Sequence, residues 1–454
     1  MRHDINEGIT PAQRAELSLC IPGDGSGIHC SDDLTISLGE HAQPLGHLRL
    51  HNKLGINCSS FRFDPTWLRH SRRFMVSPDL QEVNATQWCR QSGDGGAQVF
   101  AGLNDTIPSG FGKQLVQRAW VRGLLSELGA SEEHNAASMA LCAVSDHARL
   151  GALRVRATGQ PFADLRTAKF SLPFHVDLDN MGAMVRAFKE DRETLRQLLL
   201  MLYGFTALGG PQPKCTFVTE DGALSVAKFF GAEQPGWMPR AEVLFTTLAL
   251  AAGLRTVQPR LLHPVFSPVV IGPRFDRDPT GRRIPYLSAR SLLQARPGEQ
   301  LSWTDLLAQM RLCSNNFAAD AKEIWCRLVF GRLIGKAPES IDDFEFLYAG
   351  NGKWQLAPGC GFRPQFPGTA DKPTGGHPLF LLPPNIEALL ATAGQFGLKD
   401  TDALIEIRRQ INVLKTWKWR ATEFMFNMNH HQIDAIAPLI DNTQLRQAAL
   451  LVGP

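Results

Sequence analysis

Residues 206–230 read TALGGPQPKCTFVTEDGALSVAKFF, and the rest of the chain is read outward from them. Two short apolar runs flank Glu220-Asp221-Gly222, the residues of a tight turn, so Cys215 to Phe230 has the form of a β-hairpin. It is entered from a Gly-rich turn in which Gly209 and Gly210 precede Lys214. Backbone N–H groups at such glycines can close on a phosphate. The spacing is not the GxxxxGK[ST] of a Walker loop, and an ordinary turn with a surface lysine has the same residues. In the second strand Ser225 and Ala227 take one side, Val226 and Lys228 the other, which is an unusual place for a charge if that side is buried.

On the amino-terminal side, residues 34–158 read as mixed α/β. LTISL (34–38) and GHLRL (46–50) are hairpin strands, and SSFRFDPTWL (59–68) is a strand entering a turn at Asp64-Pro65. Lys113–Leu128 has helical spacing, with Leu115, Trp120, Leu124 and Leu128 on one face. Residues 1–33 are Gly-rich and polar, with PGDGSG at 22–27, and read as a flexible tail. Residues 159–272 form a second α/β segment: a helix over Asp191–Met201, the loop and hairpin above, a helix from Glu242 to Ala252 ended by Gly253, and a broken strand over 261–272. Residues 273–454 read as mostly helical, over Thr304–Ala318, Ala321–Leu333, Asn385–Phe396, Thr401–Leu414 and Trp417–Met428, with a Pro/Gly-rich loop from Gly350 to Pro384. A β-rich half thus precedes an α-rich half.

The chain has 454 residues, and at ~150 residues per domain that is about three folding units. It is 44% hydrophobic and 20% charged, which are globular values and exclude collagen, coiled coil and wholesale disorder. The formal net charge of +3 is too small to argue for direct nucleic-acid or anionic-membrane binding. The richest apolar stretch, Val243–Leu254, is far short of the ~18 residues of a spanning helix. MRHDINEGITPAQRAEL has no apolar core for a secretory signal, so the expectation is a soluble, cytoplasmic chain. Nine cysteines lie scattered with no CxxC pair, against both a disulfide framework and a zinc site. His430-His431 is the only adjacent histidine pair, and neighbours on a helix diverge too far to share an ion easily.

Two further features bear on chemistry. Glu242 sits near the start of its helix, and a strand lysine paired to a helix glutamate is how kinase folds hold ATP phosphates; a solvent-facing Lys228 with a dipole-favoured Glu242 is the alternative. Arg274-Phe-Asp-Arg277 is either a structural ion pair or a ligand site. Arg408, Arg409, Lys415, Lys418 and Arg420 cluster on carboxy-terminal helices and read as a solvated face.

Taken in order, these segments resemble the HipA-type toxin serine/threonine kinase family. FRFDPTWL (61–68), VSPDL (76–80), LNDTIPSGFGKQL (103–115) and SDHARLGALRVR (145–156) resemble its amino-terminal signatures. TALGGPQPK (206–214) is similar to its "SSLGGARPK", LSVAKF to its ATP-lysine strand, and RFDRDPTGRRIPYLSARSLL (274–293) to its hinge. LVFGRLIGKAPESIDDFEFLYAGNGKWQLAPGCGFRP (328–364) is similar to its catalytic stretch. The resemblance implies an α+β, two-lobed kinase fold: an extra α/β subdomain over 34–158, a kinase-like N-lobe over 159–272, and a helical C-lobe over 273–454. It implies ATP as the ligand, with Gly209, Gly210 and Lys214 in the phosphate-facing loop and Lys228 on the α/β-phosphates. Glu242 would be its partner, Pro273 and Phe275 would lie at the hinge against adenine, and Asp276 would reach the ribose hydroxyls. It also implies a HipB-like helix-turn-helix antitoxin as partner, or another protein.

The chain departs from that family where the chemistry is done. The general-base Asp of "NRLIGNTDDHLRNHGFLY" falls on Pro338, the following His on Ser340, and the metal-binding Asn on Asp343. The magnesium-binding Asp of "LAPAYDLNP" falls on Gly361, and the autophosphorylated loop serine on Ala207. Phosphoryl transfer is almost entirely positioning and charge neutralisation by Mg²⁺, and neither Pro nor Gly ligates a metal through a side chain. Glu339, Asp342 and Asp343 are spare carboxylates for a rebuilt metal site. The expectation is a pseudokinase that acts by binding protein, with ATP as a possible ligand and Mg²⁺ doubtful; the alternatives are an active kinase with a rewired metal site and a purely structural partner of the antitoxin.

Overall fold

The computed structural model describes residues 9–20, 28–53, 56–90, 99–131, 133–163, 178–219, 222–231, 233–263, 268–296, 299–336, 339–365 and 379–453. By contact the chain forms two compact units. Unit 1 comprises Met1–Phe229, Pro264–Ser267 and Asp276–Tyr286; unit 2 comprises Phe230–His263, Pro268–Phe275 and Leu287–Pro454. The four-part division above follows motifs, whereas these units follow contacts.

Unit 1 opens with helix α1 (Pro11–Cys20), whose Leu17 is buried, as is Ile28. The Ile28 N–H donates to the Tyr203 hydroxyl (3.3 Å). The first 33 residues are therefore not simply a flexible tail: an apolar side chain on each side of PGDGSG docks on the unit, while PGDGSG itself lies outside the described residues. The sheet that follows is antiparallel, in the order β4-β3-β2-β1-β5. Its strands are β1 (Asp33–Leu38), β2 (Gln43–Lys53), β3 (Ile56–Phe63), β4 (Gln87–Arg90) and β5 (Leu153–Ala157). Period-two alternation puts Leu34, Ile36, Leu48, Leu50, Phe61 and Phe63 in the core. Gly46 lies opposite Ile36 and Phe63, where a Cβ would come within 2.6 Å of the Phe61 ring. The expected turn after β3 is a helix start: Asp64 accepts the Thr66 N–H (2.7 Å) and caps α2 (Pro65–Leu68).

Among the described residues, four helices lie between β4 and β5: α3 (Ala101–Asn104), α4 (Gly110–Val121), α5 (Leu124–Glu127) and α6 (Ala136–Cys142). VSPDL anchors α3, with Ser77 Oγ accepting the Gly102 N–H (2.8 Å) and Asp79 Oδ2 that of Ala101 (2.9 Å). The single helix expected over Lys113–Leu128 is divided into α4 and α5 by Gly123 at φ +70. After α7 (Leu178–Lys189), α8 (Leu195–Phe205) starts later than the expected Asp191, because Thr194 and Gln197 form a capping box. Thr194→Ala should lower stability by about 1 kcal/mol, read as a reduced urea midpoint. α8 buries Leu198, Leu199, Met201 and Leu202, and the hairpin β6 (Lys214–Val218) with β7 (Leu224–Phe229) follows as expected.

Unit 2 begins with α9 (Met238–Ala251) and the antiparallel pair β8 (Arg260–Leu262) and β9 (Val269–Pro273). β10 (Tyr286–Ser288), α10 (Ala289–Leu292), β11 (Gln300–Ser302), α11 (Trp303–Cys313) and α12 (Phe317–Leu333) come next. α12 is the core of the unit. It is buried on most of its circumference, and Trp325, 0% exposed, donates its indole N–H to Leu389 O (2.8 Å). The region expected to be mostly helix also holds a hairpin, β12 (Glu345–Gly350) and β13 (Lys353–Leu356). It turns on Asn351-Gly352, both at positive φ, and with β10 it makes a three-stranded sheet. β14 (Leu379–Leu381) pairs in parallel with β11. The remaining helices are α13 (Ile386–Ala391), α14 (Asp400–Leu414), α15 (Trp417–Ala421), α16 (His430–Ile440) and α17 (Thr443–Val452). The helix expected over Trp417–Met428 stops at Ala421, because the chain turns back and Met428 N–H donates to Ala421 O (3.0 Å). No helix among the described residues is long and apolar enough to cross a membrane.

Candidate functional site

In unit 1 the Gly-rich loop leaves α8 and leads into β6. Gly210 takes φ +92, and its carbonyl accepts the Phe111 N–H at the start of α4 (3.0 Å). A Cβ on Gly110 would sit 2.1 Å from that carbonyl oxygen, and one on Gly209 would sit 2.7 Å from Ser109 Oγ. SGFG (109–112) is thus the backing of the loop, a role that sequence spacing alone does not reveal. Lys214 donates its ammonium to Gly209 O (2.7 Å). Lys228 lies directly opposite Lys214 in the β6–β7 register. The face of β7 that carries Ser225, Ala227 and Phe229 is buried, and Lys228 stands on the other, half-buried face, so its charge is not enclosed.

The RFDR segment meets the RLGALR segment within unit 1. Asp276 is fully buried, and its Oδ2 accepts the Gly151 N–H (2.6 Å) and an Arg277 N–H (2.7 Å). Gly151, at φ +71, has no room for a Cβ, which would fall 2.8 Å from Tyr286 Cβ. Arg277 also donates to the carbonyls of Arg149 (3.1 Å) and His147 (3.3 Å). Asp146 holds Arg154 (2.7 Å) and Arg283 (3.5 Å). Arg149 donates to Leu141 O (2.7 Å) and Val144 O (3.0 Å), and burial pulls its guanidinium down to about 10. Burial thus turns the Asp276 carboxylate, expected at the ribose hydroxyls, into an internal counter-ion. Within unit 2, Pro273 is exposed, Phe275 half-buried and Arg274 buried.

Unit 2 carries the residues that the resemblance places at the catalytic loop. Glu242, 4% exposed, pairs with Arg363 (3.6 Å), a residue the sequence reading did not single out. α12 ends in a Schellman turn: Gly335 takes φ +63, Gly335 N–H donates to Arg332 O (3.2 Å) and Lys336 N–H to Gly331 O (2.9 Å). That turn delivers the Lys336 ammonium to Glu339 Oε1 (3.3 Å) and within 4.0 Å of Asp343 Oδ1. Burial pulls the Lys336 ammonium down, but Glu339 and Asp343 outweigh it and hold the group above its usual value. Burial pushes the Glu339 carboxyl up, with Lys336 acting against it. Asp343 Oδ2 accepts the Ser340 N–H (2.7 Å), and Ser340 Oγ accepts the Asp342 N–H (3.2 Å). Asp342 is held by both arms of Arg290 (2.9 and 2.6 Å). Pro338 lies outside the described residues. Gly361 takes φ +70 in a turn fixed from α12, where Arg327 donates to Ala357 O (2.8 Å) and to Glu323 (2.7 Å).

Residues 206–359 match the family model described as HipA-like C-terminal domain. Over that stretch the chain resembles a HipA-like C-terminal domain. No curated protein matches the sequence. Among solved structures, the chain is similar to one from the Shewanella oneidensis MR-1 toxin–antitoxin system HipA, HipB and operator DNA complex. The identity is 13%, the TM-score 0.60, and the match covers 92% of this chain and 97% of that one; the α+β fold is the HipA fold. A chain of the Helicobacter pylori proinflammatory kinase CtkA aligns at 16% identity over 54% of this chain and 93% of that one. Its TM-score of 0.36 is too low to place the fold.

The residues of the matched stretch do not offer the donor set that a magnesium ion, implied by the sequence resemblance, would need. Among the described residues no group of three His, Cys, Asp or Glu could hold a metal. The three spare carboxylates of the loop already have partners: Lys336 for Glu339, Arg290 for Asp342, and the Ser340 N–H for Asp343. Beyond the domain, Arg408, Arg409 and Arg420 line a groove of about 660 Å³ with Leu404, Ile405 and Val413, and Lys418 pairs instead with Asp441 (3.8 Å).

Proposed function

We propose that this chain is a HipA-like pseudokinase: a protein of toxin–antitoxin type that works by binding a protein partner, and binds ATP without transferring its phosphate. The observation that carries the reading is the state of the carboxylates. Gly361 has none to offer a metal, and those of Glu339, Asp342 and Asp343 are engaged within the chain. A positioned base alone is worth ~10²–10⁴ in rate, and transfer without a metal ligand falls further, though not additively. Nucleotide binding is supported by Lys214 and Lys228. The two lie opposite one another in the β6–β7 register, at the end of the hairpin that the Gly-rich loop enters.

The partner proposed is a HipB-like helix-turn-helix protein, on the analogy of the Shewanella complex, with this near-neutral chain not the main DNA contact. Incubating the purified chain with labelled ATP and Mg²⁺ or Mn²⁺, with and without cell lysate, should give no transfer above that of Lys228→Ala. Transfer that Lys228→Ala abolishes would overturn the reading in favour of an active kinase. A nucleotide at ~100 times its dissociation constant should add about 2.7 kcal/mol of stability. No thermal shift at millimolar ATP would leave a purely structural partner.

A further inference from the structure

We propose that the Lys336 ammonium is the resident cation of the loop in which a kinase fold takes a divalent metal. The inference deepens the pseudokinase reading and rests on it. The ammonium stands between two carboxylates, 3.3 Å from Glu339 Oε1 and 4.0 Å from Asp343 Oδ1, and the Lys336 side chain is only 15% exposed. Its place is built rather than incidental. The left-handed Gly335 and the Lys336 N–H bond to Gly331 O fix the backbone, at the end of α12, where the helix dipole favours a positive charge. Glu339 is seated by the same helix: a Cβ on Gly331 would lie 2.6 Å from Glu339 Oε1, so a larger residue there would push that carboxylate aside. Asp342, the third carboxylate, is turned to Arg290.

A divalent ion entering between Glu339 and Asp343 would meet a fixed positive charge at contact distance and would have to expel it. It would also need oxygen ligands from groups that already accept hydrogen bonds. Magnesium demands near-octahedral oxygen coordination and is usually held through one or two carboxylates together with substrate phosphates. The loss of metal chemistry is thus twofold: Gly361 removes a ligand, and Lys336 fills the charge.

The test uses the full-length chain without nucleotide, with Mn²⁺ as the probe, read by calorimetric titration and by thermal unfolding. The wild type should show no saturable Mn²⁺ site, and Lys336→Arg, which keeps the charge, should behave the same way. Lys336→Met should gain one saturable site, weakened at least tenfold by adding Asp343→Asn. Lys336→Gln, which keeps a polar side chain, should gain the same site should the methionine variant fold poorly. Saturable Mn²⁺ binding by the wild type that Asp343→Asn abolishes would overturn the proposal. So would the failure of both folded Lys336 variants to gain a site. Neither result depends on ATP, so the inference can fail while the phosphoryl-transfer assay still decides the pseudokinase reading.

Discussion

Asp276→Ala should destabilise the chain by about 3–5 kcal/mol, the usual cost of removing one partner from a buried ion pair. The carboxylate has no exposure, and two donors converge on Oδ2, the Gly151 N–H and Arg277. Four arginines, Arg149, Arg154, Arg277 and Arg283, crowd this part of unit 1 against Asp146 and Asp276. Without Asp276, the Arg277 guanidinium, 5% exposed, loses this carboxylate and keeps the carbonyls of His147 and Arg149. Asp276→Asn retains an acceptor for Gly151 and should lose less, about 1.5–3 kcal/mol, as for a hydrogen bond to a charged group. Equilibrium urea unfolding of the two variants checks both values; an alanine variant within 1 kcal/mol of the wild type would contradict the buried counter-ion role.

Glu323→Ala should cost a similar amount, about 3–5 kcal/mol, and should act on the turn that carries Gly361. Glu323 accepts the Arg327 Nε–H (2.7 Å), one turn along α12, and the Arg255 N–H (2.9 Å). Arg327, 6% exposed, then reaches Ala357 O and Arg255 O. The Gly359 N–H donates to Arg255 O (2.8 Å), and the Val257 N–H to Gly359 O (3.0 Å). One carboxylate therefore orients the guanidinium that pins the LAPG turn. Glu323→Gln keeps an acceptor and should fall between wild type and alanine. Faster amide exchange at Val257 and Gly359 in the glutamine variant would be the local sign of a loosened turn, and unchanged exchange there would argue against this linkage.

The hairpins β1–β2 and β6–β7 and the helices α9, α11, α12 and α14 were legible in the sequence, because alternation, helical spacing and turn residues agreed locally. The β12–β13 hairpin carried its own signal, Asn351-Gly352, but sits among helices, and the regional composition masked it. Gly and polar residues around PGDGSG likewise hid α1, although Leu17 and Ile28 are core residues. At the candidate site, the expectations for Gly361 and Lys228 rest on motif order alone. The pairings that decide the chemistry could not be read that way. Arg290 reaches Asp342 and Arg363 reaches Glu242 across long separations, and no periodicity connects them. Lys336 was the exception in principle: GRLIGK spells a glycine-terminated helix, and the residue after that glycine has a fixed position.

Asp276–Tyr286 belongs with residues at the start of the chain, while its flanks on both sides belong with the carboxy-terminal helices. No single truncation point separates such a molecule into self-sufficient fragments. A gene piece ending at Phe229 lacks Asp276, Arg277 and Arg283, and a piece beginning at Phe230 carries Arg283 without Asp146 and Asp276 without the Gly151 N–H. The two parts therefore cannot be exchanged as cassettes at any one cut in the chain.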